Sequence, residues 1–112
     1  MAWIGVDLDG TLAEYHGWND GEIGPPIPPM VERVKRWMAQ EKDVRIFTAR
    51  VSFGPHRDVI EQIQRIQKWC DRHLGNVLPI TCQKDFACLV IYDDRAVQVV
   101  KNTGELVGQE HE

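Results

Sequence analysis

The sequence has no apolar run approaching the roughly 20 residues needed to span a bilayer, so no membrane-crossing helix is expected. Cysteine is scarce. Cys70, Cys82 and Cys88 form an odd set with no CxxC pair, which favours reduced thiols in a cytoplasm over a disulfide framework. Zinc is disfavoured as well, because Cys82 and Cys88 lack metal-site spacing and no histidine pair lies near them. Charge of one sign is also lacking. The formal net charge of −4 argues against bulk electrostatic binding to nucleic acid, while a local basic patch stays compatible with it. Arg33, Lys35, Arg36, Arg65, Lys68 and Arg72 are spread as ordinary solvated helix faces. The opening segment MAWIGVD has no basic stretch and soon meets Asp7, so it does not read as a signal peptide. There is no internal repeat and no low-complexity segment. What is present is 112 residues, 43% apolar and 27% charged. That suits a single domain over residues 1–112 with one core.

Residues 2–8, AWIGVDL, read as a strand buried on both faces and stopped by Asp-Gly. Residues 13–29 are polar and rich in Gly and Pro, which predicts a loop or flap. Pro28 and Pro29 suit the first turn of a helix, where backbone donors are not needed. Met30, Val31, Val34, Trp37 and Met38 then share a helical face, and the helix is expected to end near Glu41–Asp43. Val44, Ile46 and Phe47 make a second strand that runs into Thr48-Ala49-Arg50, followed by a loop, VSFGPHR. Val59, Ile60, Ile63, Ile66 and Cys70 form a second amphipathic stripe, ending near Gly75 as a C-cap. Val77–Ile80 suggests a short third strand, and residues 87–92, ACLVIY, a fourth halted by Asp93-Asp94. The tail AVQVVKNTGELVG reads as a C-terminal β-hairpin turning near Asn102-Thr103-Gly104. This order predicts an α/β, Rossmann-like domain whose mainly parallel sheet is flanked by helices on its faces.

Three of these strands finish in reactive polar residues: Asp7-Leu8-Asp9-Gly10-Thr11, Thr48-Ala49-Arg50 and Asp93-Asp94. In an open parallel sheet the carboxyl ends line the ligand crevice, so these segments are expected to meet. Carboxylates gathered there repel and raise one another's pKa unless a cation sits among them. Hard oxygen donors without His or Cys favour Mg²⁺. A metal in an acidic cleft suits phosphoryl transfer, with a carboxylate as nucleophile and a second aspartate as acid and then base. Gly10 would allow a sharp turn with its amide facing phosphate. Thr48 could donate its hydroxyl, Lys84 could bring positive charge, and Arg50 could offer its fork to substrate oxygens.

Asp7-Leu8-Asp9-Gly10-Thr11-Leu12 resembles the D-x-D-G-T-[LV] signature of haloacid dehalogenase-type phosphatases. Ile46-Phe47-Thr48 is similar to that superfamily's second motif, Lys84 to its third and Val90-Ile91-Tyr92-Asp93-Asp94 to its acidic fourth, in the same order over residues 4–94. The resemblance implies Asp7 as nucleophile, Asp9 as acid and base, and Thr48 and Lys84 as phosphate ligands. It implies Mg²⁺ held by Asp7, the main-chain carbonyl of Asp9 and Asp93, with Asp94 supporting the metal directly or through water. Gly10, Thr11 and Arg50 complete the expected substrate-binding set. The Thr-Ala-Arg and Asp-Asp-Arg runs are similar to the phosphatase domain of phage-type polynucleotide kinase/phosphatases, which act on 3′-phosphates. Larger members insert a cap domain; here neither the 13–29 loop nor the 51–57 loop holds one. Capless members act on macromolecules or borrow a lid from a partner subunit, so a nucleotide, a nucleic-acid end and a homo-oligomer all remain among the expectations.

Each motif also has a plain structural reading. Asp-Gly is a common turn, Asp93-Asp94 can cap the turn that follows, Thr48 can be a strand-end threonine, and an isolated lysine is usually solvated. Tyr15, His16 and Trp18 could stack on a base or sugar, or pack their loop onto the sheet. His56 and Arg57 are placed beside the cleft. The competing function is a non-enzymatic phospho-receiver or phosphate-binding module. Such receivers carry the acidic pair at the first strand and the acceptor at a middle one, the reverse of the order here.

Overall fold

The computed structural model describes residues 2–53 and 58–108. Strand β1 spans Trp3–Val6, helix α1 Pro28–Ala39, β2 Val44–Phe47, helix α2 Val59–Leu74, β3 Ile80–Thr81 and β4 Cys88–Tyr92. The four strands form one sheet in the order β3-β2-β1-β4, and every pairing is parallel. Two crossovers carry the chain from β1 through β2 to β3. It then returns to the far side of β1, so a switch in strand order falls between β1 and β4.

Ile4 pairs with Val44 and Val6 with Ile46, which puts these four side chains on one face of the sheet. They share a core with Met30, Val31 and Val34 of α1 and with Ile66, Trp69, Cys70 and Leu74 of α2. Both helices therefore cover the same face, whereas the sequence led us to expect helices on both. The other face carries Trp3, Gly5, Arg45, Phe47 and Ile91. There the Arg45 guanidinium lies 4.7 Å from the Trp3 ring centroid, and Asp85 accepts the indole N–H at 2.8 Å. Leu89, at the edge, is 69% exposed. A continuous apolar run in β4 is thus half open rather than doubly buried.

Local chemistry sets the element ends. β1 stops earlier than expected because the Leu8 carbonyl accepts the amides of Leu12 and Ala13 at 3.0 and 2.9 Å, turning the chain sharply. Helix α1 opens on Pro28-Pro29 as expected and ends at Ala39; Glu41 lies at φ 58 just beyond. Helix α2 is capped by the Asp58 carboxylate, which accepts the Glu61 amide at 3.1 Å, and it closes on Gly75 in the left-handed region. Its buried stripe is Gln62, Ile66, Trp69, Cys70 and Leu74, while the expected Ile60 is 70% exposed. β3 begins three residues later than predicted. Pro79 has no donor for the ladder, although its carbonyl accepts the Ile46 amide at 2.8 Å.

The 13–29 stretch is not a free flap. Ala13 bridges Pro26, the Glu14 amide donates to the Pro25 carbonyl at 2.8 Å, and the Trp69 indole donates to the Gly24 carbonyl at 2.9 Å. A Cβ on Gly24 would run into the Glu14 carbonyl, so the base of this excursion needs glycine. A single 3₁₀ turn, Asn19–Gly21, forms its far end. The C-terminal hairpin is present as one bridge, Val99 to Leu106, apart from the sheet. All three cysteines are free thiols, and among the described residues no helix is long and apolar enough to cross a membrane.

Candidate functional site

The carboxyl ends of the strands open into a cleft of about 630 Å³. Asp7, Asp9, Thr48, Arg50, Asp93 and Asp94 line it, with Tyr15 and Trp18 among the residues at its wall. The switch in strand order explains the convergence. β1 and β4 are neighbours, and the Asp7 amide donates to the Tyr92 carbonyl at 2.9 Å, so the residues following each strand emerge side by side.

Asp7, Asp93 and Asp94 each present a carboxylate oxygen within 4.8 Å of the others. Thr11 fixes Asp94 reciprocally: its hydroxyl donates to Asp94 Oδ1 at 2.9 Å and accepts the Asp94 amide at 2.9 Å. Gly10, at φ +90, lies directly beneath this carboxylate, and a Cβ there would stand 2.6 Å from Asp94 Oδ2. Gly10 and Thr11, expected at the substrate, thus act here as the seat of Asp94. Asp93 Oδ1 accepts the Arg95 amide at 2.8 Å, so Asp93 also caps its own turn. The Asp7 carboxyl is pushed up from 3.8 to about 7, first by burial, then by its hydrogen bond with Asp94 and the negative charges of Asp93 and Asp94. Three crowded carboxylates with no nitrogen or sulfur donor among them match the ligand preference of a hard divalent cation.

Asp9 turns its carboxylate elsewhere. Arg50 grips it with two bonds, Nε to Oδ2 at 2.7 Å and Nη2 to Oδ1 at 2.9 Å. The carboxylate of Asp9 therefore stands outside the acidic group, which leaves only its main-chain carbonyl for the metal role the sequence suggested. Thr48 is 3% exposed. Its oxygen accepts the Arg50 amide at 3.1 Å, so its single hydroxyl proton is free to point at a ligand. Arg50 is expected from sequence to fork onto substrate, but its guanidinium is already spent on protein acceptors. Lys84 is exposed in the turn between β3 and β4 and is not among the residues lining the cleft. His56 and Arg57 lie outside the described residues.

Gln62 was not singled out by the sequence, yet it is 5% exposed and accepts from Arg50 Nη1 at 2.9 Å. The available signal was a glutamine set four residues before Ile66 on an otherwise apolar stripe. Compared with known proteins, the chain matches no family model, no curated protein and no solved structure.

Proposed function

We propose that this protein is a magnesium-dependent phosphomonoester hydrolase of the haloacid dehalogenase type, working through an aspartyl-phosphate on Asp7. The observation that carries the reading is the meeting of Asp7, Asp93 and Asp94 within 4.8 Å at one sheet edge. Crowding three like charges, two of them half-buried and Asp94 exposed, raises their mutual repulsion, which a cation placed among them would relieve. Asp7 and Asp93, with the carbonyl of Asp9 and support from Asp94, would hold Mg²⁺, which supplies charge neutralisation for phosphoryl oxygens.

In this scheme an Asp7 carboxylate oxygen attacks phosphorus, and the bond from phosphorus to the leaving oxygen breaks. Asp9, protonated for this step, gives its proton to that oxygen. Asp9, now a carboxylate, takes a proton from the attacking water, the acyl-phosphate bond breaks, and Asp7 and inorganic phosphate are released. The Thr48 hydroxyl donates to a phosphoryl oxygen. A role for Lys84 rests on motif order alone. Among the described residues no cap covers the cleft, and Tyr15 and Trp18, 47% and 42% exposed, line its wall. Both features support a nucleotide or a nucleic-acid terminal phosphate as substrate. The free thiols support a reducing, cytoplasmic setting.

The test is a phosphatase screen over nucleotides, sugar phosphates and 3′-phosphorylated oligonucleotides, with Asp7→Asn as the blank. We expect turnover with Mg²⁺, none with EDTA, and none from Asp7→Asn. Turnover by Asp7→Asn at the wild-type rate would refute the assignment.

A further inference from the structure

The described residues bury three polar side chains, Thr48, Arg50 and Gln62, and all three belong to one network. Its centre is the guanidinium of Arg50, 2% exposed. A guanidinium has five N–H donors. Two are bound to the two oxygens of Asp9. Nη1 donates to the Gly21 carbonyl at 2.7 Å and to Gln62 Oε1 at 2.9 Å. Nη2 also reaches the Glu22 carbonyl at 3.4 Å. The Trp18 ring centroid lies 4.7 Å from Cζ.

A guanidinium so engaged has no donor left for a phosphate. Taking it out of water is expensive, and only good geometry and a full set of acceptors repay that cost. What the arrangement supplies is orientation. Two parallel bonds remove the rotation of the Asp9 carboxylate. The remaining bonds anchor the same plane to the 13–29 excursion, through Gly21 and Glu22, and to α2, through Gln62. Three segments distant in sequence are thereby registered on one carboxylate.

We propose that Arg50 is a positioning residue: it fixes Asp9 for proton transfer and does not itself bind the phosphoryl group. The proposal rests on the acid–base reading of Asp9 given above. Both Asp9 oxygens accept from Arg50, so delivering a proton requires one oxygen to leave the fork.

The experiment is a double-mutant cycle of Arg50→Ala and Asp9→Asn on an aryl phosphate with Mg²⁺, with inhibition by inorganic phosphate measured for each variant. Alone, Arg50→Ala should lower kcat by about tenfold or more and leave phosphate inhibition within about twofold. In the Asp9→Asn background the same change should lower kcat by less than about twofold, because the two residues act as a unit. Arg50→Lys, which keeps the charge without the fork, should fall between. Losses that multiply, or phosphate inhibition weakened about tenfold in Arg50→Ala, would overturn the proposal. If Arg50→Ala does not fold, Gln62→Leu serves instead by removing one acceptor while Arg50 and Asp9 remain. A lower kcat with unchanged phosphate inhibition is then expected, and an unchanged kcat would overturn the proposal. Failure of the underlying phosphatase reading shows separately, as wild-type turnover that survives Asp7→Asn.

Discussion

At the scale of single residues, Asp7 is where, on the proposed reading, proton and cation would compete. Its carboxyl is raised from 3.8 to about 7 by burial and by Asp94 and Asp93. The folded chain therefore holds a proton that the unfolded chain releases above about pH 4. The resulting stabilisation is fully present below pH 3.8 and is lost as pH rises through about 7. Asp7→Asn does not titrate there. In EDTA, its advantage in melting temperature over wild type should grow across that window, and Mg²⁺ should shrink it above pH 7. An advantage that stays flat across the window would show that the acidic group is not coupled as described. The identities of Asp7, Asp9, Thr48, Asp93 and Asp94 were legible in sequence because each follows a strand. Their division of labour was not. Whether a carboxylate joins the acidic group or turns to an arginine depends on side-chain direction, and Asp9 is drawn off by a guanidinium 41 residues away in sequence.

At the scale of elements, the strands deliver the site and the helices hold the strands. The apolar runs of β1, β2 and β4 and the helical spacing in α1 were plain because their periods are strong. The exceptions have local causes: Pro79 delays β3, and α2 is rotated so that Gln62 rather than Ile60 faces inward. In that orientation Ile66, Trp69, Cys70 and Leu74 enter the core, and Gln62 gives Arg50 a buried acceptor at 2.9 Å. The start of α2 rests on its cap. Asp58→Ala should cost about 1 kcal/mol of stability, read as a lower urea midpoint with an unchanged slope. A midpoint equal to wild type would mean that the bond from the Glu61 amide to Asp58, at 3.1 Å, contributes nothing to folding.

At the scale of the whole molecule, a parallel sheet covered by helices on one face puts its ligand edge where strand order reverses, and the acidic residues gather there. The α/β class and the parallel sheet were readable from the alternation of elements. The one-sided layering was not, since an apolar run such as that in β4 looks the same whether one face or both are covered. The most direct test of the central claim is mass spectrometry of protein acid-quenched during Mg²⁺-dependent turnover. The account predicts a hydroxylamine-labile phosphoryl group on the peptide carrying Asp7. Phosphate on Asp93 or Asp94 instead, or steady turnover with no protein-bound phosphate, would contradict it.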